Sequence, residues 1–277
     1  MSGERSLGSV IAGIPGWEHA SCEEMTGGRT NCPYVLEANG NRAVLRIDAE
    51  ARALPYNSRK DEGRVQAIAA NHGLAARVLF VDETVYMSEY IVGQVWTRSD
   101  LVEEENLECL ALALKKLHSL PRTGRTFDAS IAMRRYLPHI ADPDSHTARQ
   151  CASIVAKRHV PQDLCCCHND LVAGNIIATP ELQFLDWEYA CDNDPFFDIA
   201  TVVAHHDLSN QHTALFLDSY FDGAGAPWRS QLQEQMHLYD ALYWLWLAAR
   251  SAADENQEEL AAIAQRLDTR TASPGIA

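Results

Sequence analysis

The chain has 277 residues, of which 47% are hydrophobic and 22% are charged, and its formal net charge is −15. A chain of this length is too long for one small core and is expected to form two lobes or one large domain. The acidic balance argues against nucleic acid and anionic membranes as partners, whereas it would attract a small cationic ligand. No apolar run approaches the ~20 residues of a membrane span, and the N-terminus lacks a signal-peptide pattern, so we expect a cytoplasmic protein.

Strand and turn signals dominate the first third of the chain. The Asn-Gly pair at positions 39–40 is a strong hairpin signal, because both central residues of such a turn need positive φ. The predicted elements are, in order, strands Tyr34–Ala38 and Ala43–Ile47, helix Lys60–Asn71, and strands Val78–Val81 and Val85–Tyr90. Residues 1–91 are therefore predicted to form one lobe, mostly antiparallel sheet with one helix.

From Gly93 onward the pattern becomes mainly helical. The predicted elements are a helix over Leu107–His118 ended by Pro121, an apolar run Leu164–Cys167, a hairpin of Asn175–Thr179 and Leu182–Asp186 around Pro180-Glu181, and helices beyond Pro195. Residues 92–277 are predicted to form a second, larger lobe that is mostly helical, which makes the fold class α+β.

The predicted second hairpin brings two oxygen-bearing side chains together. With Pro180 and Glu181 as the two turn residues, Asn175 lies directly across from Asp186. Cross-strand partners have Cβ atoms roughly 4.5–5.5 Å apart on the same face. Amide and carboxylate oxygens are hard ligands that suit Mg²⁺. The pairing therefore predicts a magnesium site at this hairpin.

Asp170 lies five residues before Asn175, in a segment interrupted by Gly174. A carboxylate there can accept a hydroxyl proton beside the metal without ligating it. A base, an amide ligand and a carboxylate ligand are the minimal set for phosphoryl transfer, which depends on positioning and electrostatics. A single Asp or Asn near a turn is commonly a cap or turn residue, the role expected for residues 192–194. Three spaced polar residues at the ends of apolar strands are harder to explain by packing.

Three segments resemble one family. HNDLVAGN, from His168, resembles the catalytic loop of choline kinases and aminoglycoside phosphotransferases, LDWEYA their metal-binding segment, and FFDIA the start of the next helix. The resemblance spans the chain from Gly27 to Trp246. It implies a bilobal protein-kinase-like fold that uses ATP and Mg²⁺. The roles it implies are a catalytic base for Asp170, Mg²⁺ ligands for Asn175 and Asp186, a position that assists the metal for Glu188, and an anchor of the catalytic loop for Asp198.

The first lobe carries the implied nucleotide site. GGRTN resembles the loop that covers the phosphates, Arg46 stands where protein kinases have a phosphate-pairing lysine, and Glu62 on the next helix is its implied ion-pair partner. The segment from Met87 to Gly93 resembles the hinge between lobes. The implied nucleotide-binding residues are Gly27, Gly28, Thr30, Asn31, Arg46, Glu62, Glu89 and Ile91. Two glycines by themselves equally fit an ordinary turn, and an Arg and a Glu equally fit a solvated surface.

Aromatic residues near the C-terminus point to the acceptor. Tyr243 and Trp246 are three apart on one helix face, and choline kinases place two aromatics at similar spacing around a quaternary ammonium. Trp187 and Tyr189 could add walls, and Asp207 could supply the acidic charge that choline kinases carry on a nearby helix. Aromatics on a helix that is apolar all round are equally typical of a core. The tryptophan of LDWEYA also resembles thiamine kinases.

The predicted function is transfer of the ATP γ-phosphate to a small cationic alcohol of choline, thiamine or ethanolamine type. An aminoglycoside phosphotransferase is an alternative, with the acidic run 254–259 as a polycation site. A metal-dependent phosphohydrolase built on His168, Asp170 and Asp186 and a non-catalytic nucleotide-binding module are further alternatives. The acceptor, the oligomeric state, and the roles of His205, His206 and the Cys165–Cys167 run stay open. We expect reduced, buried cysteines rather than a zinc site there, and a structural role for His118.

Overall fold

The computed structural model describes residues 6–25, 33–48, 58–158, 161, 163–250 and 256–272. The helices are α1 Leu7–Ala12, α2 Arg59–Asn71, α3 Glu104–His118, α4 Ala129–Tyr136, α5 His146–Lys157, α6 Pro195–His205, α7 Asn210–Tyr220, α8 Arg229–Arg250 and α9 Gln257–Ala272. The strands are β1 Ser21–Glu24, β2 Tyr34–Ala38, β3 Asn41–Ile47, β4 Val78–Val81, β5 Val85–Glu89, β6 Gln94–Val95, β7 Cys165–Cys167, β8 Ile176–Ala178, β9 Leu182–Phe184 and β10 Cys191–Asn193. This sheet-then-helix order confirms the predicted α+β, kinase-like fold class.

The first sheet is five-stranded, in the order β1-β2-β3-β5-β4, and its pairings are antiparallel. Ala38 pairs with Asn41, so Asn39 and Gly40 form the two-residue turn, and both have positive φ (53° and 76°). Such a turn matches the twist of the flanking strands, which is why Asn-Gly specifies it. The hairpin predicted from the sequence is therefore confirmed.

The helix predicted from Lys60 begins one residue earlier, at Arg59, and ends at Asn71 as expected. Its start is set by Ser58, whose hydroxyl accepts a hydrogen bond from the Asp61 amide and satisfies one of the free N–H groups of the first turn. One face of this helix packs on β4 and β5, which places Glu62 against the sheet.

The chain leaves the first sheet after β5 and passes close to a second sheet, ordered β6-β8-β9. A Cβ atom at Gly93 would lie 2.4 Å from the carbonyl oxygen of Ala178, so only glycine permits this approach. The crossing segment and the β8–β9 hairpin thereby form two walls of one cleft. The lobe boundary at residue 91 stays a prediction.

The hairpin of β8 and β9 differs from its predicted register by one residue. Ala178 pairs with Leu182 and Ile176 with Phe184, so the connection has three residues, and Leu185, not Asp186, donates to the Asn175 carbonyl at 2.8 Å. The physical reason is Pro180. Two-residue hairpin turns need positive φ at their first central position, whereas the proline ring holds φ near −65°. The predicted direct pairing of Asn175 with Asp186 was wrong.

The remainder is mostly helical, as predicted. The long helix α8 packs against α5, α6 and α9, and α3 packs against α7. A large hydrophobic core runs through this region and reaches Val65 and Ala69 of α2. None of the helices in the described ranges has the length and apolar character that a membrane crossing requires.

Candidate active site

The loop after β7 carries Asp170, and Asn175 holds it in place. The Asn175 amide nitrogen donates to the backbone oxygen of Asp170 at 2.9 Å and to its Oδ2 at 3.0 Å. Burial of the Asp170 carboxyl raises its pKa to about 7, and the negative charges of Asp186 and Glu188 add to the effect. A carboxyl that titrates near neutral pH suits a general base.

Asp198 anchors the start of this loop. Its two carboxylate oxygens accept hydrogen bonds from the amides of His168 (2.8 Å) and Asn169 (2.6 Å). His118 lies 3.1 Å from Asp198 Oδ2 through its Nε2 atom and 2.6 Å from the Tyr220 hydroxyl through its Nδ1 atom. These contacts agree with the predicted anchoring role of Asp198 and structural role of His118, which stay predictions.

Asp186 lies just beyond the end of β9 in the left-handed backbone region, with φ of 60°. Its Oδ1 atom is 2.5 Å from Nη1 of Arg46 on β3. The same Arg46 nitrogen is 3.6 Å from Glu62 Oε1, which is the ion pair implied by the resemblance. Burial alone would raise the pKa of Asp186, but the adjacent guanidinium outweighs it and holds that pKa below its usual value.

A buried ion network behind Arg46 was not anticipated from the sequence. Arg59 is fully buried, donates to both carboxylate oxygens of Asp48 at 2.8 Å, and donates to Glu62 Oε2 at 2.7 Å. The network holds Glu62 so that its other oxygen faces Arg46. Two spacings could have indicated it, because Asp48 follows Arg46 by two residues on a strand and Arg59 precedes Glu62 by three on a helix.

A cleft with a cavity volume of about 180 Å³ lies between the first sheet and the β8–β9 hairpin. Glu89 and Ile91, whose predicted nucleotide binding stays a prediction, line this cleft. The other lining side chains are apolar and charged and include Val44, Ala76, Ile177, Phe184, Arg46, Glu62 and Asp186. Gly27, Gly28, Thr30 and Asn31 lie outside the described residues. On either side of them, β1 and β2 pair antiparallel and Met25 lines the cleft.

The donor set around Asp170 fits a hard divalent cation. The side-chain nitrogen of Asn175 donates to Asp170, so the side-chain oxygen is the atom that would coordinate a cation. Asp186 and Glu188 add carboxylate oxygens, the ligand type that Mg²⁺ prefers. Their negative charges also contribute to the raised pKa of Asp170, and a cation would neutralise them. Although the register prediction failed, Asn175 and Asp186 both act on the same carboxyl group.

Three aromatic rings form a stacked column on α8. The ring centroids of Tyr239 and Tyr243 are 5.7 Å apart, and those of Tyr243 and Trp246 are 6.0 Å apart, with interplanar angles of 22° and 26°. The Tyr243 hydroxyl donates to Glu259 Oε1 at 2.5 Å. The guanidinium of Arg250 lies 4.6 Å from the centre of the Trp246 ring, so this face already accommodates a cation.

The other residues that the sequence predicts to bind the acceptor substrate lie in different environments. Tyr189 lies beside the catalytic loop, since its carbonyl accepts from the Asn169 side chain at 3.0 Å. Trp187, predicted as a further wall of the acceptor site, is not accessible to a ligand. It is fully buried, packs on His168 and donates through its indole to the Phe184 carbonyl at 2.9 Å. Asp207 lies at the surface, 3.8 Å from Arg98, and its binding role stays a prediction.

Comparison with known proteins shows what the chain is similar to in sequence and in fold. The sequence profile described as "Phosphotransferase enzyme family" matches residues 21–239. The protein LicA of Haemophilus influenzae is 27% identical over 259 residues, covering 86% of this chain and 76% of LicA. A thiamine kinase of Salmonella paratyphi B is 28% identical over 205 residues, covering 70% of each chain. The crystal structure of the choline kinase LicA from Streptococcus pneumoniae has a TM-score of 0.74 at 22% identity, covering 91% of this chain and 93% of that one.

The raised pKa of Asp170 predicts a stability that depends on pH. Its ordinary value is 3.8, so between about pH 4 and 7 the folded, metal-free protein keeps a proton that the unfolded chain has released. Folding stability therefore falls as pH rises through this range. We expect Asp170→Asn to raise the Tm in EDTA at pH 8, by roughly 6–9 °C, and to have a much smaller effect at pH 4.5.

Thermal unfolding followed by circular dichroism measures this difference. Asp144→Asn, on an exposed loop, is the matched control and should change the Tm equally at both pH values. An Asp170→Asn effect of the same size at pH 4.5 and pH 8 would contradict the assigned pKa.

Proposed function

Because the chain belongs to the phosphotransferase enzyme family, we propose that it transfers the γ-phosphate of ATP to the hydroxyl of a small cationic alcohol of choline, ethanolamine or thiamine type. The observation that carries the proposal is the position of Asp170. Its carboxyl is held by Asn175, lies in the field of Asp186 and Glu188, and titrates near neutral pH. This is the arrangement that a base for phosphoryl transfer needs.

In the proposed reaction, the Asp170 carboxylate accepts the proton of the acceptor hydroxyl. The hydroxyl oxygen bonds to the γ-phosphorus as the bond between that phosphorus and the bridging oxygen breaks, which leaves ADP. Asn175, Asp186 and Glu188 would hold Mg²⁺, which neutralises phosphate charge when it is bound. Asn175 also orients the base through its hydrogen bonds.

We place the nucleotide in the cleft. Its apolar lining near Ile91 and Ile177 suits the adenine ring, and Arg46 offers a guanidinium to the phosphates. The buried pairing of Glu62 with Arg59 keeps the Glu62 carboxylate in position to orient Arg46. We infer a cytoplasmic site of action from the use of ATP and from the seven cysteines in the described ranges, which are all unpaired. The loop of Gly27, Gly28, Thr30 and Asn31 stays a prediction as the phosphate cover.

We place the cationic group of the acceptor at the aromatic column. Tyr243 is the middle ring of the column, so the outer face of Trp246 is the one that meets the cation, and a good cation–π contact contributes ~0.5–2 kcal/mol. Arg250 occupies the Trp246 face, which supports the capacity of that face for a cation. The carbonyl of Tyr189 accepts from the Asn169 side chain, and burial raises the pKa of its phenol, which therefore stays neutral.

The test of the function is ADP release with choline, ethanolamine, thiamine and an aminoglycoside panel as acceptors. We expect turnover with a cationic alcohol, and Asp170→Ala to lower kcat by at least about 10³-fold while Mg-ATP affinity stays within a few-fold. Asp144→Asn is the control and should retain parent kinetics. Phosphate release that needs no acceptor would indicate a phosphohydrolase, absence of ATP turnover would indicate a binding module, and an active Asp170→Ala variant would remove Asp170 from the mechanism.

The metal assignment predicts specific changes in magnesium dependence. Asn175→Ala and Asp186→Ala each remove one oxygen ligand, so the Mg²⁺ concentration for half-maximal activity should rise by about tenfold or more. Activity is measured across a Mg²⁺ titration at saturating ATP. Arg46→Met is the control. Like Asp186→Ala it removes the Arg46–Asp186 ion pair, but it leaves the Asp186 carboxylate able to bind metal, so its Mg²⁺ concentration for half-maximal activity should not rise. Unchanged curves for both ligand variants would refute the assignment.

The acceptor site predicts a preference for positive charge. For a choline-type acceptor, Trp246→Leu should reduce the preference for choline over its neutral analogue 3,3-dimethyl-1-butanol by roughly 2- to 30-fold in kcat/KM, which corresponds to one cation–π contact. Arg250→Gln frees the Trp246 face and should lower the KM for choline. Trp228→Leu is the control, because Trp228 stacks on Phe221 rather than on the column. An unchanged preference in Trp246→Leu would assign this residue to packing only.

A further inference from the structure

His206 follows the last residue of α6 and is buried. Its Nε2 atom is 3.0 Å from the backbone nitrogen of Ala173, and its Nδ1 atom is 2.8 Å from the carbonyl oxygen of Val202. A backbone N–H can only donate and a carbonyl can only accept. Nε2 must therefore accept and Nδ1 must donate, which defines a neutral ring with one tautomer. Burial lowers the pKa of His206, in agreement with the neutral form.

Ala173 begins the short 3₁₀ turn Ala173–Asn175, whose last residue holds Asp170 by two hydrogen bonds. The bond to His206 therefore fixes the far end of the catalytic loop. The near end is fixed by Asp198, which binds the amides of His168 and Asn169. Both anchors belong to the same helix region.

The helix α6 thus sets the distance between the two anchor points. Asp198 stands in its first turn and His206 directly follows its last residue. At 1.5 Å per residue, eight residues of helix separate the anchors by roughly 12 Å along the axis. A rigid helix with a hydrogen-bonding side chain at each end can hold an irregular loop that has little regular pairing of its own.

The neighbouring residue makes contacts on the acceptor side. His205 Nδ1 lies 2.8 Å from the Tyr239 hydroxyl, and its ring centroid is 5.2 Å from that of Tyr243. Two adjacent histidines therefore face different parts of the site, His206 the catalytic loop and His205 the aromatic column.

We propose that His206 is a positioning residue, which through its hydrogen bond to the Ala173 amide holds Asn175 and Asp170 in the geometry that phosphoryl transfer requires. The catalytic part of this inference rests on the proposed function, whereas the hydrogen bond itself does not. His206 does not line the cleft in which we place the nucleotide, so its loss should act on kcat rather than on nucleotide affinity.

Two substitutions to amide side chains distinguish the two hydrogen bonds of the His206 ring, because each retains a different one. In His206→Gln the side-chain oxygen reaches the place of Nε2 and can still accept from the Ala173 amide. In His206→Asn the shorter side chain reaches only the place of Nδ1, so it can donate to Val202 but leaves the Ala173 amide without its acceptor. The two variants are matched in polarity and differ by one methylene group.

The experiment measures amide hydrogen exchange at Ala173 by NMR together with steady-state kinetics. We expect His206→Asn to speed exchange at Ala173 by at least tenfold and to lower kcat by at least tenfold, with the KM for ATP within twofold of the parent. In His206→Gln both exchange and kcat should stay within threefold of the parent. His205→Asn is the neighbouring control and should leave exchange at Ala173 unchanged, because its ring contacts the aromatic column.

Equal loss of kcat in both His206 variants, or unchanged Ala173 exchange in His206→Asn, would overturn the positioning role. Thermal unfolding of both variants identifies a global stability effect, which would speed exchange throughout the protein rather than at the loop. Should the parent protein turn over none of the acceptors, the proposed function fails. The exchange comparison then decides the positioning role alone.

Discussion

The arrangement of the site depends on one buried carboxylate, that of Asp198. A buried charge without partners is costly, and here three donors or donor-capable groups surround it: the amides of His168 and Asn169 and the ring of His118. Because two of these donors are backbone amides, Asp198 fixes the backbone path of the loop rather than the position of one side chain. Asn169 has φ of 65°, a conformation that such fixed contacts can maintain. Asp170 follows directly and inherits its position from this anchor.

Negative charge is concentrated around the base, and that concentration has two consequences. The charges of Asp186 and Glu188, added to burial, raise the pKa of Asp170, the proposed base, to about 7. They also create a negatively charged region that favours a divalent cation. In this structure the guanidinium of Arg46 offsets part of that charge. Arg46 in turn is held by Glu62, which the buried Arg59–Asp48 pair supports. The charged groups of the two sheets are therefore coupled across the cleft through Arg46, which pairs with Asp186 on one side and Glu62 on the other.

The acceptor side is built differently, from aromatic faces and histidine contacts rather than from ion pairs. Tyr239, Tyr243 and Trp246 stack along α8, and the outermost ring already faces the Arg250 guanidinium. Packing on α6 through His205 connects this surface to the same helix that holds the catalytic loop.

Local patterns were sufficient for some parts of this protein. The Asn39-Gly40 turn, the helix started by Ser58 and the five-residue spacing of Asp170 and Asn175 each depend on neighbours in the chain, and short-range sterics and hydrogen bonds determine them. The register of the β8–β9 hairpin was mispredicted for a reason also present in the sequence, the fixed φ of Pro180. Other features required the folded chain. Burial of Trp187, the Arg59 network and the two anchors supplied by α6 join residues that are distant in sequence, and no spacing rule specifies which distant donor meets which acceptor. Packing of the lobes makes that choice, because a buried polar group is stable only where the fold brings it a partner.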